Sequence, residues 1–151
     1  MTKKFGSQSP EVWTGFGLYY LQHNKPDEAR ELLQKSLKVL PKHEHIQTIV
    51  KFAQLEFKHG EAERGRTILE GVMSNYPKRL DLWNIYIDME IKTGDTEMTR
   101  RLFERVASMK FSSKKMKFLF KKWIQFEKAH GTEDDVQRVK EKTLAYVESM
   151  S

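Results

Sequence analysis

A short pattern recurs four times along the chain, at intervals of 36, 34 and 37 residues, and it limits the possible folds more than any other feature. Three copies read Glu56-Phe-Lys-His-Gly60, Glu90-Ile-Lys-Thr-Gly94 and Glu127-Lys-Ala-His-Gly131. The first copy is Tyr20-Leu-Gln-His-Asn24, with asparagine at the glycine position. Asparagine is the usual substitute for glycine where a chain turns left-handed after a helix. A fixed period of this length is typical of stacked helix pairs.

Apolar side chains precede each turn at intervals of three residues, which places them on one face of a first helix. They stand eleven, eight and five residues before the turn: Trp13, Phe16 and Tyr19; Ile49, Phe52 and Leu55; Trp83, Tyr86 and Met89; Phe120, Trp123 and Phe126. This spacing is that of a buried helix face. We therefore expect the three tryptophans to lie in the core, and base stacking is the less favoured interpretation.

A second helix is predicted after each turn. Pro26 suits a first helical position, while Asp95 and Thr132 are good N-caps. In three copies this helix carries a small residue followed by arginine: Ala29-Arg30, Gly65-Arg66 and Thr99-Arg100. A small side chain there lets the two helices of a pair approach closely. The fourth copy has Val136-Gln137 in these positions.

Four helix pairs of about 35 residues each predict an all-α fold, an α-solenoid of antiparallel pairs that forms a right-handed superhelix. We expect a flexible lead at 1–9, a single repeat domain at 10–148 and a tail at 149–151. The repeats are expected at about 10–41, 45–77, 81–111 and 113–148.

Several kinds of site are excluded or disfavoured. The chain has no cysteine, which excludes disulfide frameworks and zinc–thiolate sites. No apolar run approaches the roughly 18 residues of a membrane span, so no membrane partner is expected. No phosphate-binding glycine loop or nucleophile motif is present. We predict no enzyme activity, no catalytic residues, no cofactor and no small-molecule substrate.

Three histidines, His23, His59 and His130, share one position before the turn. Equivalent positions in stacked repeats lie roughly 10 Å apart, too far for one metal ion. A cation near a helix C-terminus is also favoured by the helix dipole. His43-Glu-His45 offers two ligands without a third nearby. We predict no metal site.

Glu56, Glu90 and Glu127 also share one position. A general acid or base needs a second group and a pocket. The regular spacing instead predicts one repeated structural contact, a hydrogen bond or ion pair near the start of the second helix.

The net charge of +6 is concentrated in one segment. Residues 110–128 hold seven lysines and one glutamate, and the remaining 20 basic and 20 acidic residues balance. On a helical wheel the lysines and the apolar residues occupy opposite faces, and Phe118 lies among the lysines. Two interpretations stay open: a solvated face, or a docking surface for RNA or an acidic partner. The candidate RNA- or partner-binding residues are Lys110, Lys114, Lys115, Lys117, Phe118, Lys121 and Lys122.

The pattern resembles the half-a-tetratricopeptide (HAT) repeat. Trp83-Asn-Ile-Tyr-Ile-Asp-Met-Glu90 and Thr99-Arg-Arg-Leu-Phe-Glu-Arg-Val-Ala107 carry the resemblance best. The structural positions of the repeat are Trp13, Phe16, Phe52, Glu56, Gly60, Trp83, Tyr86, Glu90, Gly94, Phe120, Trp123, Glu127 and Gly131. The family's members occur almost entirely in RNA-processing assemblies.

Residues 11–37 and 52–66 also resemble the C-terminal module of the family of ribosomal RNA processing protein five (programmed cell death protein eleven). That resemblance implies a nucleolar scaffold in ribosome biogenesis, in pre-rRNA processing and small-subunit processome assembly. Its expected partners are ribosome-biogenesis proteins and pre-ribosomal ribonucleoprotein, with RNA as an open alternative and the oligomeric state undetermined. The other functions considered are a module of a splicing or mRNA 3′-end complex, a direct RNA binder through α-helical Lys114–Lys122, and a receptor for chaperone tails.

Overall fold

The computed structural model describes residues 10–150, so the predicted lead at 1–9 lies outside the described residues. This range contains eight α-helices and one short 3₁₀-helix at Lys42–Glu44. The α-helices are α1 Pro10–Gln22, α2 Pro26–Val39, α3 His45–His59, α4 Ala62–Asn75, α5 Leu80–Thr93, α6 Thr96–Ala107, α7 Ser113–His130 and α8 Glu133–Ser149. They form four consecutive pairs, and the predicted all-α helical-repeat fold is confirmed. The hand of the superhelix stays a prediction.

Helix starts follow the predicted local chemistry. Pro26 is the first residue of α2. The side chain of Asp95 accepts a hydrogen bond from the backbone N–H of Met98 at 3.1 Å. Thr132 and Asp135 exchange side-chain and backbone hydrogen bonds, which makes a capping box at the start of α8. Each of these groups satisfies backbone N–H donors that a helix leaves unpaired at its first turn. No helix of residues 10–150 is long and apolar enough to cross a membrane.

The chain divides into two compact units after Leu82. In the first unit, α1, α2 and α3 share a core of Trp13, Leu32, Leu33, Leu40 and Phe52. Gly17 lies where α1 meets α3, and a Cβ atom there would stand 2.7 Å from the Phe52 ring. The glycine therefore permits this close helix approach, a role that the sequence pattern did not reveal.

The small residue before the repeated arginine has the predicted packing role. A Cβ atom on Gly65 of α4 would lie 2.5 Å from the Phe57 ring and 2.9 Å from the Ala53 carbonyl oxygen of α3. The equivalent Ala29 and Thr99 are fully buried. A larger side chain at any of these positions would separate the two helices of a pair, because packed interiors leave no room for it.

In the second unit, α7 supplies most of the aromatic core. Trp123 is fully buried and stacks on Phe103 of α6, with ring centroids 5.4 Å apart. Phe126 also contacts Phe103, at 5.7 Å. Phe120 contacts Tyr146 of α8 at the same centroid distance. One face of α7 thus packs on both neighbouring helices, and the predicted burial of Trp13, Trp83 and Trp123 is observed.

The turn residue has two different physical roles, which corrects the expectation of a left-handed turn in every copy. Asn24 and Gly94 do have positive φ angles, of 58° and 82°. Gly60 and Gly131 do not, since their φ angles are −121° and −109°. At these two positions a Cβ atom would collide with the buried carboxylate that stands four residues earlier. Glycine is required there by contact with Glu56 or Glu127 rather than by backbone conformation.

Candidate interaction surfaces

The buried carboxylate of Glu127 on α7 is held mainly by α6. Arg100 donates to it from Nε, at 3.1 and 3.0 Å from Oε1 and Oε2, and from Nη2 at 2.9 Å. The indole Nε1 of Trp123 donates at 3.3 Å. Arg100 Nη2 also bonds Asp135 of α8 at 3.0 Å. A bidentate arginine–carboxylate pair fixes geometry as well as charge, so it joins α6, α7 and the start of α8.

The charges of this network are mutually stabilised. The hydrogen bond to Glu127 raises the pKa of Arg100 above its ordinary range. The backbone N–H of Thr132 is the main cause of the lowered pKa of Asp135, and Arg100 adds to it. Both groups therefore stay ionised near neutral pH, where a proton shuttle would need a group poised to titrate. The contacts among Arg100, Glu127 and Asp135 therefore have a structural role, and we call them the Arg100–Glu127 lock.

Glu56 occupies the same repeat position in α3 but has a different environment. It is 3% exposed, and its Oε2 has no hydrogen-bond partner among the described residues. Burial raises the pKa of Glu56, an effect that Arg64 and Arg30 oppose. Glu56 and Arg30 both line a pocket of about 390 Å³, but Arg30 forms no ion pair with the Glu56 carboxylate. A hydrogen bond from the backbone of Glu61, at the start of α4, acts on the same carboxylate and also opposes the raised pKa. Glu56 thus has a contact near the start of the second helix, as predicted, but with a different partner from that of Glu127, and a contact in every copy stays a prediction.

One local difference contributes to the absence of the Glu127 contacts at Glu56. Phe52 stands where the fourth repeat has Trp123, so no indole N–H is available. Glu127 takes its main partner, Arg100, from the second helix of the preceding pair. The sequence pattern had predicted a contact within the same helix pair. A signal for the observed pairing existed: the aligned arginine is present in the three second helices that precede a glutamate-bearing copy, whereas Gln137 stands at that position in the fourth.

Four of the predicted candidates share one exposed face of α7: Lys114, Lys117, Phe118 and Lys121. Lys128 extends this face, and Lys114 and Lys128 lie about 21 Å apart along the helix. These four lysines make no ion pair within the described part of the chain, whereas Phe118 is 52% exposed. We call these five residues the lysine stripe.

The other three candidates lie outside the stripe. Lys122 is half-buried and pairs with Asp88 of α5 at 2.7 Å, with Asn84 at 3.4 Å. Lys115 lies 6.0 Å from the centroid of the Phe111 ring. Lys110 is exposed in the segment before α7. Lys122 therefore links two helices, and the other two contribute only nearby charge.

The histidines are placed at helix ends. His59 and His130 are the last residues of α3 and α7. His23 stacks on Tyr19 at 4.1 Å and approaches its carbonyl oxygen at 2.8 Å. His45 makes a similar contact with the carbonyl oxygen of Leu40. Across residues 10–150, no group of three or more potential ligands could hold a metal ion.

A groove of about 290 Å³ lies between the first helices of the first two repeats, α1 and α3. Leu18 and Leu55 give it apolar walls, and Lys51 and Lys58 supply positive charge that exceeds the single negative charge of Glu11. The combination suits an amphipathic or extended segment that carries acidic side chains.

Paired helices with shared aromatic cores and a lock between consecutive pairs define a helical-repeat protein. Residues 6–149 match the family described as PRP39 N-terminal HAT repeat, and the chain belongs to the HAT repeat family.

Individual relatives are similar over nearly the whole chain. The rRNA biogenesis protein rrp5 of Schizosaccharomyces pombe is 50% identical over 147 residues, which are 97% of this chain and 9% of that protein. The RRP5 homolog of Mus musculus is 47% identical over 151 residues, or 100% of this chain and 8% of that protein. Crooked neck-like protein 1 of Mus musculus is 33% identical over 135 residues, which are 87% of this chain and 18% of that protein. The chain thus spans less than a tenth of the length of each of these two RRP5 relatives.

Proposed function

We propose that the chain is a non-catalytic interaction module of a nucleolar ribosome-biogenesis protein, and that it belongs to the C-terminal part of that protein. The observation that carries the proposal is the 50% identity to rrp5 over 97% of the chain, against 33% to the crooked neck-like protein. Repeat packing needs a specific side chain at only a few positions per copy. Identity well beyond those positions supports a shared set of partners with the rRNA biogenesis proteins.

Protein partners fit the geometry best. The groove lies between two helices, α1 and α3, and is lined by apolar side chains and two lysines. Helical-repeat proteins commonly bind extended or helical segments on such surfaces. The module would then position pre-ribosomal proteins on the assembly that processes precursor rRNA.

A chimera tests this proposal. In fission yeast with a repressible rrp5 gene, the segment of rrp5 that matches this chain is replaced by the chain itself, residues 1–151. The matched control carries the corresponding segment of the crooked neck-like protein in the same position. We expect the first chimera to restore growth and precursor-rRNA processing, measured by hybridisation, and the control to fail. Equal rescue by both, or rescue by neither when both proteins accumulate normally, would contradict a specific role in ribosome biogenesis.

A second candidate function is direct RNA binding by the lysine stripe. Four unpaired lysines on one helix face attract phosphates, and the exposed ring of Phe118 offers a surface for base stacking. Phosphate contacts of this kind give affinity without sequence choice. We therefore expect length-dependent binding that weakens with salt.

The RNA test compares two charge-matched variants in titrations of labelled single-stranded RNA. One changes the stripe lysines to glutamine, at 114, 117, 121 and 128. The other changes four exposed lysines at the start of the chain, at 25, 35, 38 and 42. If the stripe contacts phosphates, only the first variant loses about 3 units of the log–log salt slope. Equal losses would assign the binding to net charge alone.

A further inference from the structure

The last helix, α8, has a second apolar face that faces solvent. Val139 is fully buried, and Tyr146 packs on Phe120 of α7. Next to this packed side, Leu144 is 59% exposed, Val147 49% and Met150, just after the helix, 54%. A helix packed on one side normally presents polar residues on the other. We call Lys140, Leu144, Val147 and Met150 the outer face of α8.

The outer face corresponds to a surface that is covered in the first repeat. Leu144 follows its turn residue by 13 positions, as Leu37 does, and Val147 follows by 16 positions, as Leu40 does. In the first unit, Leu40 is buried in one cluster with Phe52 of α3, and Leu37 packs against that cluster. The outer face therefore continues the interface through which a second helix binds the next repeat.

One difference between α8 and α2 indicates what kind of helix the outer face binds. Lys140 stands at the position of Leu33, which lines a pocket together with the carboxylate of Glu56. Lys140 is exposed and makes no ion pair in the described residues. A helix seated as α3 is seated on α2 would bring a carboxylate toward this lysine.

We propose that the outer face of α8 docks an amphipathic helix of a partner protein, with an apolar stripe like that of α3 and a carboxylate that pairs with Lys140. A further repeat of the same array fits less well, because Lys140 stands where the three preceding repeats have buried apolar residues, Leu33, Leu69 and Phe103. A second copy of this chain also fits less well, because α1 carries Tyr20 at the carboxylate position.

The probe is a fluorescent peptide with the α3 sequence, residues 45–59, since α3 covers the equivalent face of α2. A helix-stabilising cross-link joins positions 47 and 51, which lie about 140° and 100° around the helix from Phe52. Circular dichroism first establishes that the peptide is helical, because an unconstrained peptide of this length is marginal. Anisotropy titrations then use the full chain.

We expect saturable binding that Leu144→Glu with Val147→Glu weakens at least tenfold. Both side chains are exposed, so this variant keeps the wild-type melting curve. Gln34→Glu with Gln47→Glu, which adds the same two charges at exposed positions of the first unit, is the matched control and leaves binding unchanged. Lys140→Glu weakens binding to the peptide, and a peptide with Glu56→Lys restores it.

Three results would overturn the proposal. The first is absence of saturable binding by the helical peptide. The second is binding that does not respond to the Leu144→Glu/Val147→Glu variant. In the third, light scattering shows a concentration-dependent dimer that the same variant dissociates, which makes a second copy the occupant. The outcome of the yeast chimera has no bearing on any of these readouts, so the two proposals fail separately.

Discussion

Arg100 on α6 and Glu127 on α7 form a bidentate ion pair that joins two consecutive helix pairs. The carboxylate is fully buried, and the guanidinium also bonds Asp135 at the start of α8. A buried charge is tolerated only when its partners satisfy it, so this pair connects the packing of three helices. It also explains why glycine, at 131, follows the glutamate: any Cβ atom there would intrude on the same carboxylate.

Removal of either partner should destabilise the chain. We expect a double-mutant cycle of Arg100→Ala and Glu127→Gln to give a coupling of about 1–3 kcal/mol, because a charged hydrogen-bonded partner is left unpaired. Urea unfolding monitored by circular dichroism measures it. The exposed pair Arg79–Asp81 is the control and should show much weaker coupling. Additive single effects at Arg100 and Glu127 would refute the lock.

The same type of substitution should have the opposite sign at Glu56. Burial raises its pKa in the folded state above the ordinary value of 4.5. Its contribution to stability is therefore lost as pH rises from about 4.5 through the raised folded pKa. Glu56→Gln should stabilise the chain at pH 7 and lose this advantage near pH 4, measured as the difference in unfolding free energy from wild type. A variant less stable than wild type at pH 7 would count against the raised pKa.

The two kinds of glycine should respond differently to asparagine. Gly94→Asn places asparagine in the left-handed conformation that Asn24 already adopts, and it should cost less than about 1 kcal/mol. Gly131→Asn forces a side chain against the Arg100–Glu127 lock and should cost about 1–3 kcal/mol. Thermal unfolding of the two variants in parallel checks this difference. Equal costs would mean that one conformational requirement governs both turns.

Buried and exposed aromatic residues provide a further contrast. Trp83 is 3% exposed, stacks with Tyr86 and lies 5.1 Å from the Arg105 guanidinium. Trp83→Ala should cost about 3–5 kcal/mol and lower the melting temperature. Phe118→Ala, at a half-exposed position, should change stability by less than about 0.5 kcal/mol. An unchanged melting curve for the Trp83 variant would remove this residue from the core.

Local patterns were sufficient to predict the helix pairs and most of the aromatic core. Pro26, Asp95 and Thr132 mark helix starts through contacts within a few residues, which is why their roles are visible in sequence. The lysine stripe was also foreseen, because helical periodicity separates charged from apolar residues. Lys122 was misplaced in that group, since its partner Asp88 lies on another helix 34 positions earlier.

The sequence by itself determined the period, the helix pairs and most residues of the buried face, because these depend on spacing along one helix. Tyr19 is the exception, since it was predicted on that face and is 50% exposed. Only the tertiary structure decided which groups meet across helices. It paired Arg100 with Glu127, left Glu56 without that partner, and gave Gly60 and Gly131 a steric role that differs from the role of Gly94. It also left Leu144 and Val147 uncovered on α8. Identical repeat positions acquire different chemistry because each contact depends on side chains supplied by neighbouring helices.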